Sequence, residues 1–155
     1  MDALRRIKSI TGQRQKVGHG GTIDPLARGV LPVCFGQATR LMDHILNSDK
    51  IYQADITLGV TTTTYDAEGE IIKTVDRSNV TQKMIEESFQ HWIGIVQQTP
   101  PMYSAIKVDG QRLYKLARAG VEIKRETRPV KIHGIKVLDF DYPKLIIEVK
   151  CGKGK

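Results

Sequence analysis

The stretch KVGHGGTIDPLARGVLP, residues 16–32, decides how this chain is interpreted. Three glycines come before Asp24, and they let the backbone bend and approach a ligand closely. Pro25 disfavours a helical conformation for the residue before it, so we expect Asp24 at an extended bend. A carboxylate held in this way can act as a nucleophile or as a general base. The alternative is a turn aspartate that binds its own backbone, and local chemistry leaves both interpretations open.

The pattern on either side of this stretch predicts both helices and strands. Glycine and proline throughout residues 12–40 predict a shaped loop with short extended segments. Apolar residues at helical spacing predict helices over 3–10, over 111–119, and after Thr81 up to Pro100. In the last of these, the predicted core stripe is Ile85, Phe89, Trp92, Ile93 and Val96. Alternating polar and apolar residues predict strands at 51–58, 71–75, 130–140 and 145–151. Together they predict one α+β (mixed α/β) domain with a mixed, largely antiparallel sheet and flanking helices.

Composition narrows the classes of function. The 24 Lys and Arg residues exceed the 17 Asp and Glu residues, giving a net charge of +7 that attracts polyanions. A soluble basic protein without nucleic acid is the alternative. No apolar run approaches the roughly 20 residues that span a bilayer, and the N-terminus lacks a signal peptide's apolar stretch. We therefore expect a cytoplasmic protein that does not bind membranes. The two cysteines and four histidines show no metal-ligand spacing, so no metal site is expected.

A second basic segment occupies residues 100–120, PPMYSAIKVDGQRLYKLARAG. Cations can neutralise phosphates while aromatic rings stack on unpaired bases. The residues of both kinds here are Tyr103, Lys107, Arg112, Tyr114, Lys115 and Arg118. A solvated, charged helix face is the alternative interpretation.

These residues resemble the TruB family of tRNA pseudouridine synthases, which isomerise the T-loop uridine at tRNA position 55. The resemblance starts from GHGGTIDPLARGVLP and continues in family order through four further blocks. They are KIYQADITLG, TTTTYDAEGE, QTPPMYSAIKVDGQRLYKLARAG and RPVKIHGIKVL. It implies a pseudouridine-synthase-like fold and cofactor-free chemistry on a uridine turned out of the RNA.

The resemblance also implies a role for individual residues. Asp24 matches the catalytic aspartate, and Tyr52 the tyrosine that stacks on the target uracil and assists proton removal. His19 matches a histidine that holds the flipped-out nucleotides, and Asp66 an acidic residue in tRNA contact. Contacts to the RNA backbone are implied for Lys16, Arg40, Arg112 and Arg118, and Lys107 of the basic segment is a further candidate for RNA binding. From its place in the alternating strand, Tyr52 is expected on the buried face. The implied partner is the T-arm of tRNA, bound by a monomer without a protein partner.

The sequence departs from the family pattern at its two ends. The family continues the last strand as C-x-x-G-x-Y-I-R, whereas this sequence reads CGKGK from Cys151. The upstream D-K-P-x-G-x-T-S segment and the C-terminal PUA domain have no counterpart. The resemblance thus implies that residues 1–155 are one truncated catalytic domain, incomplete at both ends, with little synthase activity. The alternative is a non-catalytic tRNA-binding or RNA chaperone module. A guide-dependent, dyskerin-like protein is disfavoured because its basic extensions are missing.

Overall fold

The computed structural model describes residues 2–21, 26–104, 107–108 and 110–153, without the side chains of residues 2, 107, 114 and 118. Backbone contacts divide the chain into two compact units, Met1–Ser48 and Asp49–Lys155. The expectation of one domain over residues 1–155 stays a prediction. None of the described helices is long and apolar enough to span a membrane.

The first unit joins two helices through a small antiparallel strand pair. Its elements are α1 (Asp2–Thr11), β1 (Val17–His19), β2 (Val33–Phe35), a 3₁₀ helix (Gly36–Leu41) and α2 (Met42–Asn47). β1 pairs with β2 so that Gly18 lies opposite Cys34. The helix predicted at 3–10 and the short extended segments predicted within 12–40 are confirmed.

The second unit is built on a four-stranded antiparallel sheet. Its described strands are β3 (Lys50–Thr57), β4 (Val60–Thr62), β5 (Ile71–Thr74), β6 (Gly94–Gln98), β7 (Lys107–Val108), β8 (Gln111–Arg112), β9 (Arg128–Asp141) and β10 (Lys144–Cys151). Its described helices are α3 (Gln82–Phe89), extended by a 3₁₀ turn (Gln90–Trp92), and α4 (Leu113–Arg118). The large sheet has the order β3-β10-β9-β6, and β4-β5 and β7-β8 are separate hairpins. All pairings among the described strands are antiparallel, which confirms the predicted α+β class with a largely antiparallel sheet.

The core lies where α3 packs on one face of β10. Ile85 of α3 is buried together with Leu145 and Ile147 of β10. The two β10 residues share a face because side chains alternate along a strand. α3 begins where predicted, since the Thr81 hydroxyl accepts a hydrogen bond from the Met84 N–H at 3.3 Å.

The helix predicted to continue from Phe89 toward Pro100 is wrong. The α-helix ends at Phe89, and Gly94 has a φ of +103°, which a helix does not adopt. Ile93 is already extended, and Val96 lies in β6, whose hydrogen bonds to β9 replace helical ones. The core position predicted for Trp92 is also wrong, because this residue is 54% exposed.

The helix predicted at 111–119 is shorter than expected. Gln111 and Arg112 belong to β8, and α4 occupies Leu113–Arg118. Leu113 is buried, and Gly120 has the positive φ of a helix C-terminal stop.

Candidate active site

The segment that contains Asp24 is held at both ends by β1 and β2. The Gly20 N–H donates to the Pro32 carbonyl oxygen at 2.8 Å, which continues the strand pair by one bond. A Cβ at Gly20 would collide with Ile45 Cγ2, so another residue fits here only if Ile45 shifts. Gly20 is one of the glycines predicted to let the backbone approach a ligand. In the structure it lets the backbone approach Ile45 of the protein itself. Asp24, the predicted nucleophile, lies outside the described residues.

His19 ends β1 and is partly buried. Its Nδ1 is hydrogen-bonded to the Gly21 carbonyl oxygen. Because a carbonyl oxygen only accepts, Nδ1 is the donor in this contact, and Nε2 is the nitrogen that can accept whenever the ring carries a single proton. The ring can therefore accept a hydrogen bond from a base N–H or a ribose hydroxyl, which suits the predicted contact with nucleotides.

Lys16 and Arg40 are brought together in the first unit. Both line a surface depression of about 540 Å³, with Gln15, Gly36, Gln37 and Thr39. The Gly36 N–H donates to the Lys16 carbonyl oxygen at 2.8 Å, which fixes the start of the 3₁₀ helix against the residue before β1. Two cations beside amide and hydroxyl groups form a surface that can receive a phosphate.

Tyr52 lies on the predicted strand, but it is not buried. It is on the same face of β3 as Ala54 and Ile56, directly opposite Val149 of β10. α3 covers that face near Leu145, and Tyr52, further along the strand, is left 54% exposed. The expected burial is therefore wrong, and the exposed ring is a surface on which a base can stack.

Asp66 closes the tip of the β4-β5 hairpin. Its carboxylate accepts hydrogen bonds from the Thr64 hydroxyl at 2.6 Å and from the Glu68 N–H at 2.9 Å. The Thr64 hydroxyl, then the Glu68 N–H, lowers the pKa of Asp66 from its usual value, against a small opposing effect of burial. The carboxylate therefore stabilises this turn locally. Its predicted contact with tRNA stays a prediction.

The basic segment of the second unit forms the β7-β8 hairpin and α4. Lys107 lies opposite Arg112 in the hairpin register. Arg112 also lines a depression of about 430 Å³ with Gly110, Gln111 and Lys115. The side chains of Lys107 and Arg118 lie outside the described part of the chain.

The predicted residues thus divide between the units. The first unit brings Lys16, Arg40 and the Asp24 segment onto one small framework, and the second holds Tyr52, Asp66 and the basic hairpin. Three polar residues beside Lys16 and Arg40 were not predicted from the sequence, because they belong to no motif. They are Gln15, Gln37 and Thr39. No cluster of three or more His, Cys, Asp and Glu side chains suited to a metal occurs within the described ranges.

Curated relatives align with nearly the whole chain. The tRNA pseudouridine synthase B of Clostridium tetani is 45% identical over 153 residues, which are 99% of this chain and 53% of that protein. That of Symbiobacterium thermophilum is 49% identical over 143 residues, 90% of this chain and 48% of that protein. The chain spans about half the length of the curated relatives it matches.

Solved structures share the fold. The chain is similar to a protein chain in the crystal structure of a Cbf5-Nop10-Gar1 complex, at 27% identity and a TM-score of 0.69. The similarity covers 99% of this chain and 36% of that one. A chain in an H/ACA RNP bound to a substrate RNA, at 23% identity and a TM-score of 0.63, shows the same fold.

A family model described as TruB family pseudouridylate synthase (N terminal domain) matches residues 8–155. This match covers both units and every block of the resemblance found in the sequence. The chain belongs to the TruB family of pseudouridylate synthases.

Proposed function

We propose that this chain acts in the isomerisation of uridine to pseudouridine in tRNA, at the T-loop uridine at position 55. The observation that carries the proposal is the family match over residues 8–155, which includes the motif around Asp24. The name of the relatives, tRNA pseudouridine synthase B, supports tRNA as the substrate.

Asp24 is the proposed nucleophile, acting on a uridine turned out of the RNA stack. Attack by its carboxylate on C1′ of the ribose displaces uracil by breaking the bond from C1′ to N1. C5 of the rotated base then bonds to C1′ and displaces the carboxylate. The proton lost from C5 is balanced by one gained at N1, so the reaction consumes no cofactor. The bond between Gly20 and Pro32 supports this role, since it closes the segment that carries the carboxylate.

Tyr52 is the proposed partner of the flipped base. Its ring is 54% exposed at the end of the sheet face that α3 leaves uncovered. A ring in that position can stack on the uracil, and its hydroxyl can take part in proton removal from C5. His19 would accept a hydrogen bond from a neighbouring nucleotide through Nε2.

The T-arm of tRNA is the proposed partner, bound by a monomer in the cytoplasm. The net charge of +7 favours a polyanion, and cations line a depression in each unit, Lys16 and Arg40 in one, Arg112 and Lys115 in the other. These cations would contact phosphates and position the RNA without reading its sequence.

The test is a single-turnover assay with the 155-residue chain in excess over a tRNA transcript, because this design reveals slow conversion. We expect pseudouridine at position 55 only, none with Asp24→Asn, and equal tRNA binding by both proteins. A transcript with cytidine at that position is the matched RNA control. Conversion that survives Asp24→Asn would refute the nucleophile. Tight tRNA binding without conversion by either protein would instead support the RNA chaperone alternative.

A further inference from the structure

A depression at the base of the β4-β5 hairpin has no role in the proposed reaction. It has a volume of about 240 Å³ and is lined by Gly59, Val60, Thr61, Lys73, Val75 and Arg77. Two of these residues are cationic, one carries a hydroxyl, and none is acidic. The lining therefore has the composition of an anion site.

The hairpin register places the polar groups on one side. Thr61 lies directly opposite Lys73, so their side chains share a face of the hairpin. Both residues are exposed, as is Arg77. No ion pair within the described ranges engages Lys73 or Arg77. Their charges are available to a ligand.

The backbone beneath these side chains is closely packed. The Val75 N–H donates to the Gly59 carbonyl oxygen at 2.7 Å. Gly59 has a φ of +81°, and a Cβ there would lie 2.3 Å from the Val75 carbonyl oxygen. The Arg77 N–H donates to the Tyr142 hydroxyl at 3.0 Å. These bonds fix the position of Arg77 relative to β5, the strand that carries Lys73.

Two carboxylates lie close to the depression in the sequence, and neither of them lines it. Asp76 accepts hydrogen bonds from the Ser78 N–H at 2.8 Å and from the Tyr142 hydroxyl at 3.3 Å, and it does not line the depression. Glu70 lies three residues from Lys73, roughly 10 Å along an extended strand. Salt screens exposed charges over about 8 Å at physiological ionic strength.

We propose that this depression binds a phosphate group through Lys73, Arg77 and Thr61, and that the phosphate belongs to the RNA backbone. The RNA half of the proposal rests on the proposed function. Its two cations, Lys73 and Arg77, lie outside the motifs of the family resemblance, whereas Thr61 begins the TTTTYDAEGE block on the hairpin whose tip carries Asp66. Such a contact positions an RNA strand and adds affinity that falls with salt.

The experiment follows backbone amide resonances of the 155-residue chain by NMR during two titrations, with inorganic phosphate and with a T-arm RNA hairpin. We expect saturable shifts of Thr61, Lys73 and Arg77 with both. In the double variant Lys73→Gln, Arg77→Gln, phosphate binding should weaken about tenfold or more, and the salt slope of RNA binding should fall by about 2. The matched control is Lys83→Gln, an exposed α3 lysine paired with Glu87 at 3.8 Å, which should leave both unchanged.

Each contrary outcome has a distinct meaning. Absent phosphate shifts at these three amides, or equal shifts in the double variant, would overturn the site. Phosphate binding without RNA shifts there, while RNA moves the amides around Lys16 and Arg40, would overturn only the RNA half and leave the proposed function standing. RNA that moves neither region contradicts both RNA binding at this site and the proposed function, while the phosphate titration still decides whether an anion site exists.

Discussion

The Tyr142 hydroxyl accepts a hydrogen bond from the Arg77 N–H at 3.0 Å, although 65 positions separate the two residues. The same hydroxyl donates to Asp76 Oδ1 at 3.3 Å. Beside it, the Leu58 N–H donates to the Pro143 carbonyl oxygen at 2.8 Å. The turn between β9 and β10 thus holds the segment that leads from β5 into α3.

Replacing Tyr142 with phenylalanine keeps the ring and removes both hydrogen bonds. We expect the free energy of unfolding to fall by about 1 kcal/mol, since a net hydrogen bond contributes roughly 0.5–1.5 kcal/mol. Urea denaturation measures the change. The matched control is Tyr103→Phe, because the Tyr103 hydroxyl makes no hydrogen bond within the described ranges and the residue is 43% exposed. Equal stability of the two variants would contradict a structural role for the Tyr142 hydroxyl.

Much of the second unit could be predicted from sequence because its signals are local. The alternation of Leu145, Ile147 and Val149 predicted β10, and the alternation over 130–140 predicted most of β9. Thr81 predicted the start of α3 through a cap that spans three residues. Each of these signals lies within a few residues of the structure it determines.

The predictions that failed depend on contacts distant in sequence. Val96 continues a helical stripe, but β6 forms because β9 supplies its hydrogen bonds. Tyr52 follows the strand alternation, yet its exposure depends on where α3 stops covering the sheet. Likewise, the cluster of Lys73 and Arg77 depends on the hairpin and on its bond to Tyr142. The role of Asp24 in catalysis and that of His19 in holding nucleotides came from family resemblance and stay predictions.

Leu145 tests where the core lies. It is 3% exposed and packs with Ile85 and Ile147, so Leu145→Ala should lower the free energy of unfolding by about 2–5 kcal/mol. Leu138→Ala in the neighbouring β9, where the side chain is 42% exposed, should cost about 1 kcal/mol or less. Chemical denaturation compares them, and similar losses for both would place the core elsewhere.

Asp66 should make stability depend on pH in acid. Hydrogen bonds from the Thr64 hydroxyl and the Glu68 N–H lower the pKa of Asp66 in the folded chain. The stabilisation is therefore complete above the unfolded pKa of about 3.9 and is lost as pH falls through the lower folded pKa. We expect Asp66→Asn to lose less stability than the wild type between about pH 5 and pH 2. Denaturation at several pH values measures this.

Thr64→Val provides the second arm of that test. It removes the largest cause of the shift, so NMR titration should find the pKa of Asp66 closer to its ordinary value. An unchanged pKa in this variant would show that the Thr64 hydroxyl does not stabilise the carboxylate.

Lys16 and Arg40 should contribute to RNA affinity without affecting its sequence preference. Both line one depression in the first unit, so Lys16→Gln with Arg40→Gln should lower the salt slope of tRNA binding by about 2. Filter binding at several salt concentrations measures the slope. Lys8→Gln, near the end of α1 and outside this depression, is the control. A loss confined to one RNA sequence would contradict backbone contacts.

Substitutions of Tyr52 separate tRNA binding from the conversion of uridine. Tyr52→Phe keeps the ring that would stack on uracil and removes the hydroxyl proposed to assist proton removal from C5. We expect single-turnover conversion of the T-loop uridine to fall by about 100-fold or more, with tRNA affinity nearly unchanged, since general acid–base groups contribute roughly 10²–10⁴-fold. Tyr52→Leu should in addition weaken binding, because stacking contributes about 1–3 kcal/mol per base. Tyr65→Phe, on an 80% exposed residue of the β4-β5 hairpin, is the control and should leave conversion unchanged. If Tyr52→Phe converts tRNA at the wild-type rate, the hydroxyl has no part in proton removal and the ring serves only to hold the base.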